Sequence, residues 1–444
     1  MTQGPIIRRL VFFAVPLLLG SLLQQTYNAF DAVVVGNFVS TDALAAVGSS
    51  GPLINVIVSF FMGMSSGASV LISRFYGARN AKELKNTVHT SIALAVILGI
   101  ALSFVGLVLS PALLRMIKTP EEILPEAVTY LRIFFAGLTS ATVYNMGAAI
   151  LTAVGDSKRP LYFLALSATL NVLLNLFFVL VTGMGVGGVA LATVIAQTVC
   201  AVSVVILLNR QVSDIRLDFK QIKIHKHILK DIIKIGLPGG IQGIIVSSSN
   251  FIVQSYINKL GAAVVAGYSA ASRIDGFIMM PIQAMMLAIS TFVGQNLGAR
   301  KVKRARDGVR VSMFAGFCCT ITVSLFVFTF GKYILRVFTP DEHVLSYGTE
   351  FIRIFVPGYF LLCFTQILPG GLRGAGDVKI PTLAAIGSFV VLRQIYLYFV
   401  TKISHTTFTV ALAYPATWFV AAIIISIYYL RSDWSKFEGE LTPP

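Results

Sequence analysis

Charge is what this sequence has least of. Asp, Glu, Lys and Arg make up 12% of its 444 residues, while 56% are hydrophobic. Soluble chains carry about 25% charged residues, so this few cannot cover a water-soluble fold of such length. Cysteine is also scarce. Cys200, Cys318, Cys319 and Cys363 lie in apolar stretches without CxxC spacing. That excludes a disulfide framework or cysteine metal site and leaves four small core residues. The glycine-rich stretches GMSSGAS (63–69) and GMGVGGVALA (183–192) precede no GKS or GKT. They are not phosphate loops and suit close helix packing instead. The histidines (His89, His225, His227, His343, His405) are scattered in loops or at the edges of apolar runs. No metal site is expected, and His225 and His227 read as solvated. No nucleotide-binding domain is visible, so neither an ATP-driven pump nor an enzyme is expected.

What the chain has is apolar length. Windows of about 20 apolar residues, each able to cross a bilayer as a helix, recur from end to end. Spans are expected at 10–36, 48–73, 90–113, 127–152, 161–182, 187–209, 235–257, 263–290, 311–331, 348–371, 380–400 and 407–430. Solid stretches such as LVFFAVPLLLGSLLQQ lack the period-2 alternation of a β-barrel. The fold class is therefore all-α, a polytopic membrane protein with twelve transmembrane helices. MTQGPIIRRL leads into the first span without a small-residue cleavage site, unlike a signal peptide.

The net charge of +16 reports topology rather than nucleic acid. Of the 35 Lys and Arg, 25 fall on the side of the termini, six of them in ARKVKRARDGVR (299–310), and only 6 on the other. That bias puts both termini and the central linker in the cytoplasm. The linker run QIKIHKHILKDIIK (221–234) reads as solvated chain beside anionic lipid, with a surface-lying amphipathic helix as the alternative.

The chain is written twice. Tyr76-Gly-Ala-Arg79 returns as Leu297-Gly-Ala-Arg300, and Leu131-Arg-Ile-Phe134 as Ile352-Arg-Ile-Phe355. Gly155-Asp-Ser-Lys158 returns as Gly376-Asp-Val-Lys379, all at an offset of 221. TPEE (119–122) returns as TPDE (339–342), and Pro16 pairs with Pro238. Six spans per copy is an even number, so both copies enter the membrane in one direction and form a parallel repeat. The expected organisation is an N-lobe at 1–210, a linker at 211–234, a C-lobe at 235–430 and a tail at 431–444. Two such lobes suggest alternating access. No continuous polar lining suggests a channel.

FDAVVVGNFVSTDALAAVG, the GAR loop after span 2, GDSKRP, NVLLN and GGLRGAGDVKIP, in this order and spacing, resemble the multidrug and toxic compound extrusion (MATE) family. The resemblance covers nearly the whole chain. It implies two six-helix lobes in a V and export of amphipathic, often cationic, organic compounds against inward H⁺ or Na⁺. It implies a monomer in the plasma membrane of a bacterium or archaeon, with lipids and small organic molecules as partners and no cofactor beyond the coupling ion. A lipid-linked saccharide flippase of the wider superfamily is the alternative. That function favours a strongly cationic cavity, and these spans carry few Arg. The family's ion-linked acid falls on Asp31, and a polar group beside it on Asn171, Asn175 and Thr193. Asn175 stands where one branch often has a second carboxylate. The C-lobe carboxylates of another branch have no match in SSSNFIVQ (247–254) or LLCFTQIL (361–368).

Only two of the 19 acidic residues fall well inside spans, Asp31 and Asp275. An acid in a membrane span marks a functional site by default. Burial disfavours the charged form of a carboxyl, so such a group can take a proton from one side and give it to the other. With amide and hydroxyl oxygens beside it, the same group can hold Na⁺ at Asp31. The missing second carboxylate at Asn175 favours H⁺. Pro16, about 22 Å along the helix from Asp31, can kink span 1. Asp275 is expected to have a structural role, with a partner such as Arg393 rather than Arg273, because residues two apart on a helix do not face each other. Arg393 and Gln394 face either the C-lobe interior or the cavity, where Arg393 either contacts an anionic group or pairs with an acid.

Overall fold

The structure, a computed structural model, describes residues 1–210, 215–337 and 339–434, with the backbone alone at Thr41. The start of the linker and most of the tail expected at 431–444 lie outside these residues. Regular structure among the described residues is entirely helical. The first half holds α1 (Ile6–Phe38), α2 (Thr41–Gly77), α3 (Ala81–Met116), α4 (Leu124–Ala136), α5 (Leu138–Ala153), α6 (Lys158–Leu176) and α7 (Gly185–Arg210). The second holds α8 (Lys226–Asn258), α9 (Ala262–Gly298), α10 (Val302–Arg336), α11 (Glu342–Phe355), α12 (Tyr359–Gly374), α13 (Lys379–Ile386), α14 (Arg393–Ile403) and α15 (Thr407–Arg431). Among the described residues eleven spans are long and apolar enough to cross a membrane, or twelve when the bent pair α4–α5 counts as one. The expected span at 127–152 is thus a helix broken by 48° at Gly137. A Cβ at Gly137 would stand 2.4 Å from Val194 Cγ2, so the break lets the backbone approach α7.

The repeat is visible in the backbone. α2 and α9 are both 37 residues long. Arg79 and Arg300, the paired residues of the GAR loops, are both left-handed, with φ of 55° and 56°. Their counterparts in the GD turns, Gly155 and Gly376, have φ of 98° and 77°. A non-glycine residue in this region costs about 1–2 kcal/mol, so its recurrence at paired positions reflects a shared turn geometry.

The described chain forms two compact units: Leu19–Gly240, and Met1–Leu18 with the chain from Ile241 onward. Both boundaries fall inside helices, α1 and α8. Each falls two residues past a paired proline, Pro16 in α1 and Pro238 in α8. The first turns of α1 bury Leu10, Phe13 and Ala14 in the same cluster as Ile289, Phe292 and Leu368. α1 itself is helical through Pro16.

In the unit Leu19–Gly240, α2 crosses the start of α8 on glycines. Gly63 and Gly67 face Gly236 and Gly240, so close that a Cβ on Gly63 would lie 2.2 Å from Gly240 N. Small residues four apart on both helices permit this backbone approach. The linker is not a separate surface helix: residues 226–234 are the opening turns of α8. Ile228 and Ile232 are buried, as are Ile215 and Leu217 ahead of them, while Lys226, Lys230, Asp231 and Lys234 stay exposed to solvent as expected. His89 is buried and its two ring nitrogens meet Lys85 O at 2.7 Å and Asp218 O at 3.2 Å. His225 Nδ1 lies 3.2 Å from Thr90 Oγ1, and His227 Nε2 lies 3.1 Å from Glu83 Oε2. His227 is exposed, as expected, and His225 is half-buried; both still touch α3, a contact that no local pattern announces. Of the expected core cysteines, Cys200 and Cys363 are buried, while Cys318 and Cys319 lie on an exposed face of α10.

Candidate functional site

Asp31 lies on α1 and meets α6, which in turn meets α7. Asn175 Nδ2 donates to Asp31 Oδ1 at 2.5 Å and to Asn171 Oδ1 at 3.2 Å. Asn171 Nδ2 donates in turn to Thr193 Oγ1 at 3.1 Å, and Thr193 Oγ1 donates to Val189 O at 3.1 Å. All four residues singled out from the sequence thus join in one hydrogen-bonded chain. Asn171 and Asn175 share a face because they are four apart on α6, and both are buried, at 2% and 0% exposure. A donor to a carboxylate makes a stronger bond than a neutral pair. Asn175 Oδ1 is buried with no donor among the described residues, which leaves an amide oxygen beside the carboxylate. One carboxylate with neutral oxygens can take one proton or one monovalent cation. Among the described residues no group of three His, Cys, Asp or Glu converges.

Two features of this site were not legible in sequence. The helix carrying Asn171 and Asn175 continues into a π-helical stretch, Phe177–Val181. Such turns shift the register of the residues downstream and gather at functional sites. Tyr130, from α4, lies with Tyr27 in electrostatic range of Asp31 and packs beside Val34 and Val35. Only the tertiary fold brings Tyr130 to a residue 99 positions away.

The other unit carries a polar cluster at corresponding spans, with the charge reversed. Ile252 stands at the position of Asp31 and is half exposed. Arg393, 3% exposed, donates to Thr417 Oγ1 at 3.1 Å and Asn250 Oδ1 at 3.4 Å. Its guanidinium lies 4.4 Å from the centre of the Tyr414 ring and 5.6 Å from that of Phe389. Gln394 Nε2 donates to Ser249 Oγ at 2.9 Å. Here too a π-helical stretch, Gly387–Leu392, adjoins the cluster. Arg393 therefore faces the lobe interior, and no ion pair joins it to Asp275. The expected Asp275–Arg393 pair is replaced by hydroxyls and aromatic faces, which accept the guanidinium without a second charge. Asp275 faces the Tyr359 hydroxyl, and its Oδ1 is buried without a donor among the described residues. Arg273, two residues away, is exposed. Tyr268 and Tyr414 join hydroxyls at 2.7 Å between these groups.

The sequence pattern of the MatE family matches this chain twice, at residues 16–177 and 238–399, which is most of its length. The chain belongs to the MatE family. The two matches start and end 222 residues apart, as the internal repeat requires. This MatE protein is 30% identical to the probable multidrug resistance protein YoeA of Bacillus subtilis (strain 168), over 97% of this chain and 94% of that one. It is 30% identical to a second protein of that organism, the probable multidrug resistance protein YpnP, over 88% of each chain. Its fold is similar to a MOP superfamily transporter from Pyrococcus furiosus Vc1 (DSM3638), with a TM-score of 0.91, 24% identity and 98% of each chain covered. It is thus a multi-pass membrane protein whose relatives are transporters.

Proposed function

We propose that this MatE protein is a secondary antiporter that exports amphipathic, often cationic, organic compounds in exchange for inward H⁺, with Asp31 as the coupling carboxylate. The observation that carries this reading is the Asp31–Asn175–Asn171–Thr193 chain. A lone carboxylate that accepts from one neutral amide, with a second amide and a hydroxyl behind it, supports H⁺ over Na⁺, because a bare Na⁺ demands more oxygen ligands than a proton does. The relatives named for multidrug resistance support the substrate class. Alternating access is the reading that the two lobes of the repeat support, and the division of α1 just past Pro16 supports a bend there. The basic bias supports cytoplasmic termini in a plasma membrane, and the protein acts as a monomer.

The test is purified protein in liposomes with a dye substrate, H⁺ and Na⁺ gradients being imposed separately. A pH gradient alone should drive wild-type uptake. Asp31→Asn should keep dye binding and lose gradient-driven transport. An Asp31→Asn protein that still moves dye against its gradient removes Asp31 from the mechanism, and transport driven by Na⁺ alone reverses the choice of ion.

A further inference from the structure

The lipid-facing surface of the unit that contains α9–α15 carries a groove outside the transport site. It lies between α10, α12 and α15, encloses about 420 Å³, and is lined by Met313, Phe314, Phe317, Phe364, Tyr429 and Leu430. At one end of the lining stands Arg310, with Ser426 beside the apolar side chains. Arg310 is eight residues into α10, and the uncharged run 311–331 after it is about as long as the ~30 Å hydrocarbon core is thick. Arg310 therefore stands at headgroup level with the apolar groove on its membrane side.

The charges around it are uneven. Lys301 donates to Thr2 O, and Arg304 to Met1 O and Gly4 O. Arg306 and Arg310, one turn apart, are both exposed, and Asp307 pairs with Arg310 at 3.6 Å. Tyr429 lies within electrostatic range of both arginines. A second groove, about 260 Å³ beside Ile321, Leu325 and Phe360, has no charged residue in its lining. A purely apolar groove accepts any acyl chain. This groove has Arg310 in its lining and Arg306 one turn outside it, an excess of one positive charge over Asp307 at headgroup depth, which favours a negative headgroup.

We propose that this groove is a binding site for an acidic phospholipid, with the phosphate on Arg306 and Arg310 and an acyl chain along Phe314, Phe317 and Phe364. Trp434 reports on it, since its ring is 5.7 Å from that of Tyr429.

The experiment uses the full chain in vesicles containing a small fraction of dibrominated phosphatidylglycerol or dibrominated phosphatidylcholine, read by quenching of tryptophan fluorescence. Trp418, in the aromatic cluster with Tyr359 and Tyr414, contributes the same background in every sample. Phosphatidylglycerol should quench the wild type at lower mole fraction than phosphatidylcholine. Arg306→Gln/Arg310→Gln should erode the preference, by about fivefold in relative affinity for each arginine removed. Ser426→Phe, which fills the groove and leaves both arginines, should erode it too. Helix content and elution volume check that each variant is folded. Equal quenching by the two lipids in the wild type overturns the proposal. So does a preference that survives Ser426→Phe, which marks attraction to a basic surface without a groove, and so does displacement of the bromolipid by the transported dye, which makes the groove a substrate site.

Discussion

Replacing Gly63 with Ala should loosen the crossing of α2 over α8. A Cβ there would stand 2.2 Å from Gly240 N, 2.5 Å from Gly240 Cα and 2.8 Å from Gly236 O. All three are backbone atoms, so no side chain can swing aside, and the helices must part by about 1 Å to reach ordinary contact. Overpacking of this kind costs about 1–3 kcal/mol. Alanine also recovers about 1 kcal/mol of helix propensity, so the net effect runs from about zero to about 2 kcal/mol of destabilisation. Gly48 supplies the control. It lies in the same helix, is not followed by proline, and a Cβ there meets nothing within 4 Å. Gly48→Ala should therefore keep the propensity gain and stabilise by up to about 1 kcal/mol. The two variants should differ by about 1–3 kcal/mol in SDS-induced unfolding followed by circular dichroism. Equal unfolding midpoints would refute the argument, because they would mean that the crossing has room for a methyl group.

Three further outcomes are expected. Asn175→Asp places a second carboxylate beside Asp31 and should make Na⁺ compete with H⁺ in liposome transport; a variant blind to Na⁺ would show that ligand charge does not set the ion. Arg79→Gly and Arg300→Gly relieve left-handed φ angles of 55° and 56°, and each should raise thermal stability by about 1 kcal/mol; opposite signs at the two sites would show that the turns are not equivalent. Thr417→Val removes the 3.1 Å acceptor of Arg393 and should destabilise by about 1.5–3 kcal/mol in the same unfolding assay, the range for a hydrogen bond to a charged group, whereas an unchanged midpoint would mean that the Tyr414 face alone satisfies the guanidinium.

Much of this protein was legible before any coordinates. Apolar run length is a one-dimensional property, so the spans could be read directly, and Asp31 stood out because it is alone in its run. The repeat offset also survived folding, down to the paired left-handed turns at Arg79 and Arg300. The spacing of Asn171 and Asn175 placed both on one helix face, because four residues make nearly one turn.

Other features exist only through contacts between distant segments. The break at Gly137 depends on Val194 lying against it, and the linker histidines depend on α3. Neither has a local signature, since a turn of helix and a loop histidine look alike in sequence whatever they touch. The same holds for Arg393, where a buried cation in an apolar span invited an acidic partner. The fold supplies Thr417, Asn250 and the Tyr414 ring from α15 and α8 instead. The sequence by itself determined that the chain spans a membrane in two related halves and carries one isolated acid in its first span. Only the tertiary structure decided which groups surround that acid and how Arg393 is satisfied, because hydrogen bonds and ring contacts act over a few ångströms between residues that the chain order keeps far apart.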